Sequence, residues 1–206
     1  MSPRPYTLGR RKEATEQTRA SILAAARELL MAGGSFTGFT IDAVARQAGV
    51  ARMTVYYQFS SKVGLLEALS DDLAARGHME RLAEAFRQPD VDHALGEFIA
   101  TFARFWGADR LVTRRLRALA ALDTDFEQVV RARDERRREG LRVLVQRLMR
   151  ESGQPLAAAF DETVEMLFTL TSFETFDTLA GDTHTPEDVA GPIRALAFAA
   201  LGLRQA

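Results

Sequence analysis

The chain has 206 residues, 47% of them hydrophobic and 27% charged, a formal net charge of −1 and no cysteine. That is enough apolar material for one large packed domain or two small ones. The lack of cysteine excludes disulfides, thiol nucleophiles and cysteine-ligated metals. The polar start MSPRPYTLGRRKEATEQTR has no apolar core of a secretory leader, and no run approaches the roughly 18 apolar residues that span a bilayer. The expectation is a cytoplasmic protein without membrane contact. The near-neutral total hides an asymmetry: residues 1–62 hold nine basic and four acidic side chains, the remainder eighteen and twenty-four. A polyanion would be attracted to the first part and repelled by the second.

Apolar residues recur at helical spacing along the chain and nowhere alternate convincingly, so the expected fold is all-α. A polar, basic arm occupies residues 1–14, from which Arg4 to Lys12 carry the charge. The first helix is predicted from Thr15 to Ala32, with Ile22, Leu23, Ala26, Leu29 and Leu30 on one face; Gly33, Gly34 and Gly38 end it. Thr40 is a suitable N-cap for a short helix from Ile41 to Ala48. Gly49 follows where a sharp turn is needed, then a third short helix from Arg52 to Phe59. Ser60 or Ser61 caps a longer fourth helix with Leu65, Leu66, Leu69 and Leu73 inward and Gly77 interrupting it. Beyond Gln88-Pro89, helices are predicted at about 91–106, 110–122, 124–151, 156–181 and 186–203. Thr185-Pro186 would start the last of these, and Gly191-Pro192 would kink it.

Phe39 to Leu66 carries the main signal. Val44, Ala45, Ala48, Val50 and Val55 are placed to pin two short helices against each other across a tight glycine turn, which is the helix-turn-helix arrangement. Its second helix enters the major groove N-terminus first. Arg52 can make a bidentate contact to guanine, and Thr54 can bond a phosphate. Tyr56 and Tyr57 combine a flat ring with a hydroxyl, suiting thymine methyls, sugars and phosphates. Lys62 and Thr40 sit at helix starts, where backbone N–H groups also favour a phosphate.

The stretch resembles the DNA-binding domain of the TetR-type (tetracycline-repressor-like) transcriptional regulators. The matching residues are Thr40-Ile41, Val44-Ala45, Ala48-Gly49-Val50, Thr54 to Phe59, Ser61-Lys62 and Leu65-Leu66, within about 50 of the 206 residues. The resemblance implies a homodimer, a groove-reading third helix and a C-terminal ligand-sensing domain. It also implies phosphate roles for Thr54, Tyr57 and Lys62 and base-edge roles for Ala51, Arg52 and Tyr56. Met53 replaces the small residue often found at its position. The expected organisation is an arm (1–14), a helix-turn-helix domain (15–62) and an effector-binding and dimerisation domain (63–206).

In that last part the reading rests on pattern. Leu95, Phe98, Phe102 and Phe105 share one helix face, with Trp106 beside it, and the thirteen Phe of the chain suit an apolar cavity as well as a core. The candidate pocket set is Phe98, Phe102, Phe105, Trp106, Leu119, Phe126, Met166, Leu170, Phe173, Glu174 and Asp177. Thr171, Glu174 and Asp177 share one side of the 156–181 helix. Turned inward they favour a cationic or hydrogen-bonding effector; turned outward they are surface groups. Glu135 to Glu139, including Arg136, Arg137 and Arg138, read as a solvated face. The last two helices are expected to pair across a two-fold axis.

No catalytic residue, metal or cofactor is expected. His78, His93 and His184 are far apart and lack metal spacing, and there is no HExxH motif or Gly-rich phosphate loop. Two classes of function stay open. One is a ligand-responsive regulator, a homodimeric repressor released from a pseudo-palindromic double-stranded DNA operator by an unknown small-molecule effector; an activator shares the same DNA chemistry. The other is a small-molecule carrier or interaction protein whose N-terminal helices are structural. The second predicts negligible, salt-insensitive affinity for any duplex.

Overall fold

The structure, a computed structural model, describes residues 6–32, 38–152 and 158–202. Among the described residues there are eleven α-helices and no strand. They are α1 (Tyr6–Met31), α2 (Ile41–Ala48), α3 (Arg52–Phe59), α4 (Lys62–Arg76), α5 (Leu82–Arg87), α6 (Val91–Ala108), α7 (Arg110–Ala120), α8 (Thr124–Ser152), α9 (Phe160–Leu170), α10 (Phe173–Ala180) and α11 (Ala190–Ala200). A 3-10 turn, Met79–Arg81, precedes α5. The all-α expectation holds. Arg4, the Gly33-Gly34 break and the Gly153 to Pro155 punctuation lie outside the described residues. The chain divides into two compact units: residues up to Asp72 with Arg115–Phe126, and Leu73–Arg114 with Glu127 onward. The first unit thus takes in more than residues 15–62.

In the first unit α1 begins at Tyr6, not at Thr15. Residues 10–20 contain no Gly or Pro, and the turns there are tied internally. Thr15 and Thr18 donate to the Arg11 and Ala14 carbonyls, each at 2.8 Å, and Lys12 lies 3.9 Å from Glu16 one turn on. The buried stripe of α1 is Ile22, Ala25, Ala26 and Leu30. α2 packs on α1, and the inward faces of α2 (Ile41, Val44, Ala45), α3 (Val55, Phe59) and the first half of α4 (Leu65, Leu66, Leu69) are buried in the same unit. Leu116, Leu119, Ala120 and Phe126 are buried in the same unit, where the Arg115 guanidinium donates to the Leu30 carbonyl at the end of α1.

In the second unit α6 is central. Its Leu95, Phe98, Ile99, Phe102 and Trp106 form one apolar core with Leu141, Leu144 and Leu148 of α8, Val164 and Leu167 of α9, Phe173 and Phe176 of α10, and Ile193, Ala197 and Phe198 of α11. Three expectations are corrected here. First, 156–181 is not one helix but α9 and α10, broken at Thr171-Ser172. The Thr171 hydroxyl donates back to the Leu167 carbonyl at 2.8 Å, and Ser172 caps α10 by accepting from the Thr175 N–H at 3.2 Å. Such side chains offer the backbone an alternative to the helical ladder. Second, the last helix starts at Ala190. Thr185 and Asp188 do cap each other, with Thr185 N–H donating to Asp188 Oδ2 at 2.8 Å and Asp188 N–H to Thr185 Oγ1 at 3.2 Å. A helix continuing from there would need an N–H at residue 192, which is proline. In the observed helix Pro192 falls in the first turn, where no intrahelical donor is required, so it causes no kink.

The third correction is Arg137. Its side chain is only 3% exposed, not solvated. Its Nη1 donates to the Phe168 carbonyl at 3.0 Å and to Thr171 Oγ1 at 3.2 Å, its Nη2 reaches Asp134 at 3.3 Å, and the guanidinium lies 4.0 Å from the Phe168 ring centroid. The break between α9 and α10 leaves polar groups in an apolar interior, and this arginine supplies them with donors.

Candidate nucleic-acid interface

The geometry of α2, the turn and α3 follows from local chemistry. Thr40 is extended and caps α2, its hydroxyl oxygen accepting the Ala43 N–H at 3.1 Å. Its proton remains to donate outward. Gly49 ends α2 in the left-handed region (φ 67°), which favours glycine. The Val50 N–H closes the turn on the Ala45 carbonyl at 3.0 Å. Ala51 is the N-cap of α3 and offers no side-chain cap, so the helix start is not covered by its own cap residue.

Val55 and Phe59 turn the back of α3 into the core. At about 100° per residue, the residues two before and two after Val55 must face away from it. These are Met53, 72% exposed, and Tyr57, 88% exposed. Both side chains are therefore free to meet a partner along the outer face of α3. Thr54 and Tyr56 are half-buried at the flanks of this face. Arg19 fixes the C-terminal end of α3 by donating to the Gln58 carbonyl at 3.1 Å and lying 4.4 Å from the Phe59 ring centroid.

Arg52 lies exposed at the start of α3. Its Nη2 donates to the Tyr56 hydroxyl at 3.2 Å, its Nη1 to Asp42 at 3.3 Å, and its guanidinium stands 5.4 Å from the Tyr56 ring centroid. The bond to Tyr56, and then the Asp42 carboxylate, raise its pKa above the usual arginine value, so it is cationic at any physiological pH. Ser61 caps α4 by accepting the Gly64 N–H at 2.9 Å. Lys62, in the first turn of α4, is half-buried and lies 3.7 Å from the Asp123 carboxylate. Asp123 also accepts the Phe126 N–H at 3.2 Å at the start of α8.

All seven predicted DNA contacts, Thr40, Ala51, Arg52, Thr54, Tyr56, Tyr57 and Lys62, therefore fall in the first unit, on α2, α3 and the helix starts beside them. Two residues outside that set stand beside it: Met53 on the outer face of α3 and Asp42, bonded to Arg52. The inward phase of Val55 and Phe59 was enough to place Met53 on the outer face. Asp42 gave no sequence signal, because its partner comes from the next helix.

The candidate effector residues are drawn from both units. Phe98, Phe102, Phe105, Trp106 and Phe173 stack in the second unit, with successive ring centroids 4.4 to 6.3 Å apart. The Trp106 Nε1–H donates to the Thr171 carbonyl at 3.1 Å. Met166 and Leu170 are half-buried on α9. Leu119 and Phe126 belong to the first unit. Glu174 is exposed. Asp177 is held by Arg110 and by Arg114, the latter at 2.8 and 3.0 Å. Burial pushes its carboxyl up, but the bonds from Arg114 and Arg110 outweigh this and hold it below the usual carboxylate range. A carboxylate already bound by two guanidiniums is not offered to a cationic ligand. The cavity lined by Leu95, Leu144, Leu148 and Leu167 measures about 10 Å³, room for one water.

Among the described residues no cluster of three or more His, Asp or Glu is placed to hold a metal ion, and no helix is long and apolar enough to cross a membrane. Each histidine bonds a near neighbour in sequence: His78 with Glu80, His93 with Asp90 and His184 with Thr183.

Residues 22–69 match the family model described as bacterial regulatory proteins, tetR family. The chain is 43% identical over 63 residues to the HTH-type transcriptional regulator SrpR of Pseudomonas putida, covering 31% of this chain and 28% of that one. It is 43% identical over 70 residues to the uncharacterized HTH-type transcriptional regulator TtgW, also of Pseudomonas putida, covering 33% and 49%. The chain thus spans less than half the length of the curated relatives it matches. Over 90% of its residues it shares the fold of the TetR family transcriptional regulator PfmR from Thermus thermophilus, with a TM-score of 0.67, 21% identity and 99% of that chain covered.

Proposed function

We propose, from the match of residues 22–69 to the tetR family model and from the shared fold, that this chain is a TetR-type DNA-binding transcriptional repressor of the cytoplasm, released from its operator by a small-molecule effector. The observation that carries this reading is the outer face of α3. A helix buried along Val55 and Phe59 holds Arg52, Met53 and Tyr57 out to solvent, and helix starts bearing Thr40 and Lys62 flank it. Arg52, Tyr56 and Met53 meet base edges in the major groove; Thr40, Thr54, Tyr57 and Lys62 hold phosphates; Ala51 allows close approach.

The protein acts as a homodimer on a pseudo-palindromic operator, with its two α3 helices about 34–36 Å apart to enter successive major grooves. Pairing through α10 and α11 is supported by Leu179 and Leu196, the latter 51% exposed, and by the small exposed Ala195 and Ala199 beside Leu196. The effector acts through a higher affinity for a dimer with the wrong α3 spacing. To bind among the aromatic rings of α6 and α10 it must part them, because they lie in mutual contact.

The test is a gel-shift titration against the DNA upstream of its own gene and against unrelated duplex, across a salt series. Specific binding with a steep salt slope is expected. Lys62→Ala should flatten the log-affinity against log-salt slope by about one. An unchanged slope would show that Asp123 keeps Lys62 from the phosphates. Negligible, salt-insensitive binding to every duplex would sink the DNA function itself.

A further inference from the structure

Resting on the DNA-reading function above, we propose that Asp42 is a positioning residue that sets the base preference of Arg52. An arginine at the first position of a helix has a long, flexible side chain. Left to itself it would serve a phosphate as readily as a base. Here it is held from two directions. Tyr56, one turn along α3, receives Nη2 on its hydroxyl and stands beside the guanidinium; Asp42, in the first turn of α2, receives Nη1. Tyr56 moves with α3 and cannot alone fix the direction of the guanidinium plane. Asp42 belongs to the other helix of the motif and supplies the second fixed point.

A guanidinium has five N–H donors. These two bonds use one on each terminal nitrogen. Three remain, enough for the two acceptors, N7 and O6, that guanine presents in the major groove. A fork already oriented meets that edge with less freedom to lose.

Two physical points favour selectivity over stability as the role of Asp42. The pair is exposed on both sides, at 57% and 54%, and such pairs contribute little to folding. A carboxylate beside the reading helix also repels phosphates, so it lowers affinity for every duplex. Holding Arg52 away from non-specific phosphate contacts while repelling the backbone raises the ratio of specific to non-specific binding.

The full-length protein is used to select duplexes from a random-sequence pool, as wild type, Asp42→Ala, Asp42→Asn, Arg52→Ala and the double variant Asp42→Ala/Arg52→Ala. Arg52→Ala should abolish preference at one base pair of each half-site. Asp42→Ala should weaken preference at that same position about tenfold, leave other positions unchanged and strengthen binding to unrelated duplex. Asp42→Asn, which keeps the size and an acceptor oxygen, should fall between, and guards against loss of folding in the alanine variant. In the Arg52→Ala background Asp42→Ala should change nothing further at that position. A wild-type profile in Asp42→Ala overturns the inference. So does a loss spread evenly over all positions, or one that persists without Arg52. A wild type that selects no duplex overturns the DNA function, and the inference with it; a wild type that selects a site while Asp42→Ala keeps full preference at the Arg52 position overturns the inference alone.

Discussion

Replacing Arg137 by alanine removes a guanidinium that is 3% exposed and bonded to the Phe168 carbonyl, Thr171 and Asp134. Hydrogen bonds from a charged donor contribute about 1.5–3 kcal/mol each, and a desolvated cation over an aromatic ring about 2 kcal/mol. Against these stands the cost of burying the guanidinium, several kcal/mol, which the variant recovers. Removing one partner of a buried ion pair has a net cost of about 3–5 kcal/mol. Asp134 is half-buried and can turn toward water, and Thr171 keeps its bond to Leu167, so the lower end, about 3 kcal/mol, is expected. Arg137→Met keeps much of the volume and should cost less, about 2 kcal/mol, the scale of one buried group left without its partner. The assay is urea unfolding followed by helical circular dichroism at one fixed protein concentration. Arg136→Ala, at an exposed neighbour, serves as control and should stay within about 0.5 kcal/mol of wild type. If Arg137→Ala costs less than about 1 kcal/mol with an unchanged urea slope, the guanidinium does not hold the α9–α10 break together.

Two further expectations concern the turn after α3 and the Asp177 clamp. A Cβ at Gly64 would overlap the Phe59 carbonyl oxygen; Gly64→Ala must therefore push the first turn of α4 away from α3. A loss of about 1–3 kcal/mol in urea unfolding is expected, with weaker DNA binding because Lys62 shifts too; unaltered unfolding and binding would show that this contact yields freely. Asp177, its carboxyl held low by Arg114 and Arg110 against the effect of burial, contributes stability that is fully present above its unfolded value, near 3.9, and is lost as pH falls through the lower folded value. Asp177→Asn should be less stable at neutral pH and flatten the acid limb of a stability-against-pH curve below about pH 4. Superimposable acid limbs for the two proteins would show that the clamp is not linked to folding.

How far the residues alone revealed the structure depends on whether each cause was local. The helix-turn-helix was legible because its determinants lie within a few residues of their effects: the Thr40 hydroxyl on the Ala43 N–H, the left-handed Gly49, the opposed phases of Val55 and Tyr57. Arg137 was misjudged because it stands in a run of charges that reads as a wet helix face; what draws it inward is an unsatisfied carbonyl thirty-one residues away. The single helix expected over 156–181 failed for a related reason. Its apolar period runs unbroken through Thr171-Ser172, while two hydroxyls redirect the backbone there. Pro192 shows the opposite: its chemistry was correctly weighed but applied to a helix start four residues too early, at Pro186 in place of Ala190. Asp42 and Asp177 each carried a charge whose meaning depends on arginines from other helices, and periodicity says nothing about such pairs.

The break between α9 and α10 also divides the clock on which this part of the chain opens. The Thr169 carbonyl, which in a continuous helix would receive the Phe173 N–H, is instead occupied by the Ser172 N–H and by the hydroxyls of Ser172 and Thr175. Each segment therefore has its own terminus, and the eight residues of α10 are tied to α9 there by side-chain bonds instead of a continuous backbone ladder. With the backbone ladder interrupted, opening of one segment need not propagate along hydrogen bonds into the other, and hydrogen exchange is expected to read α9 and α10 as separate steps.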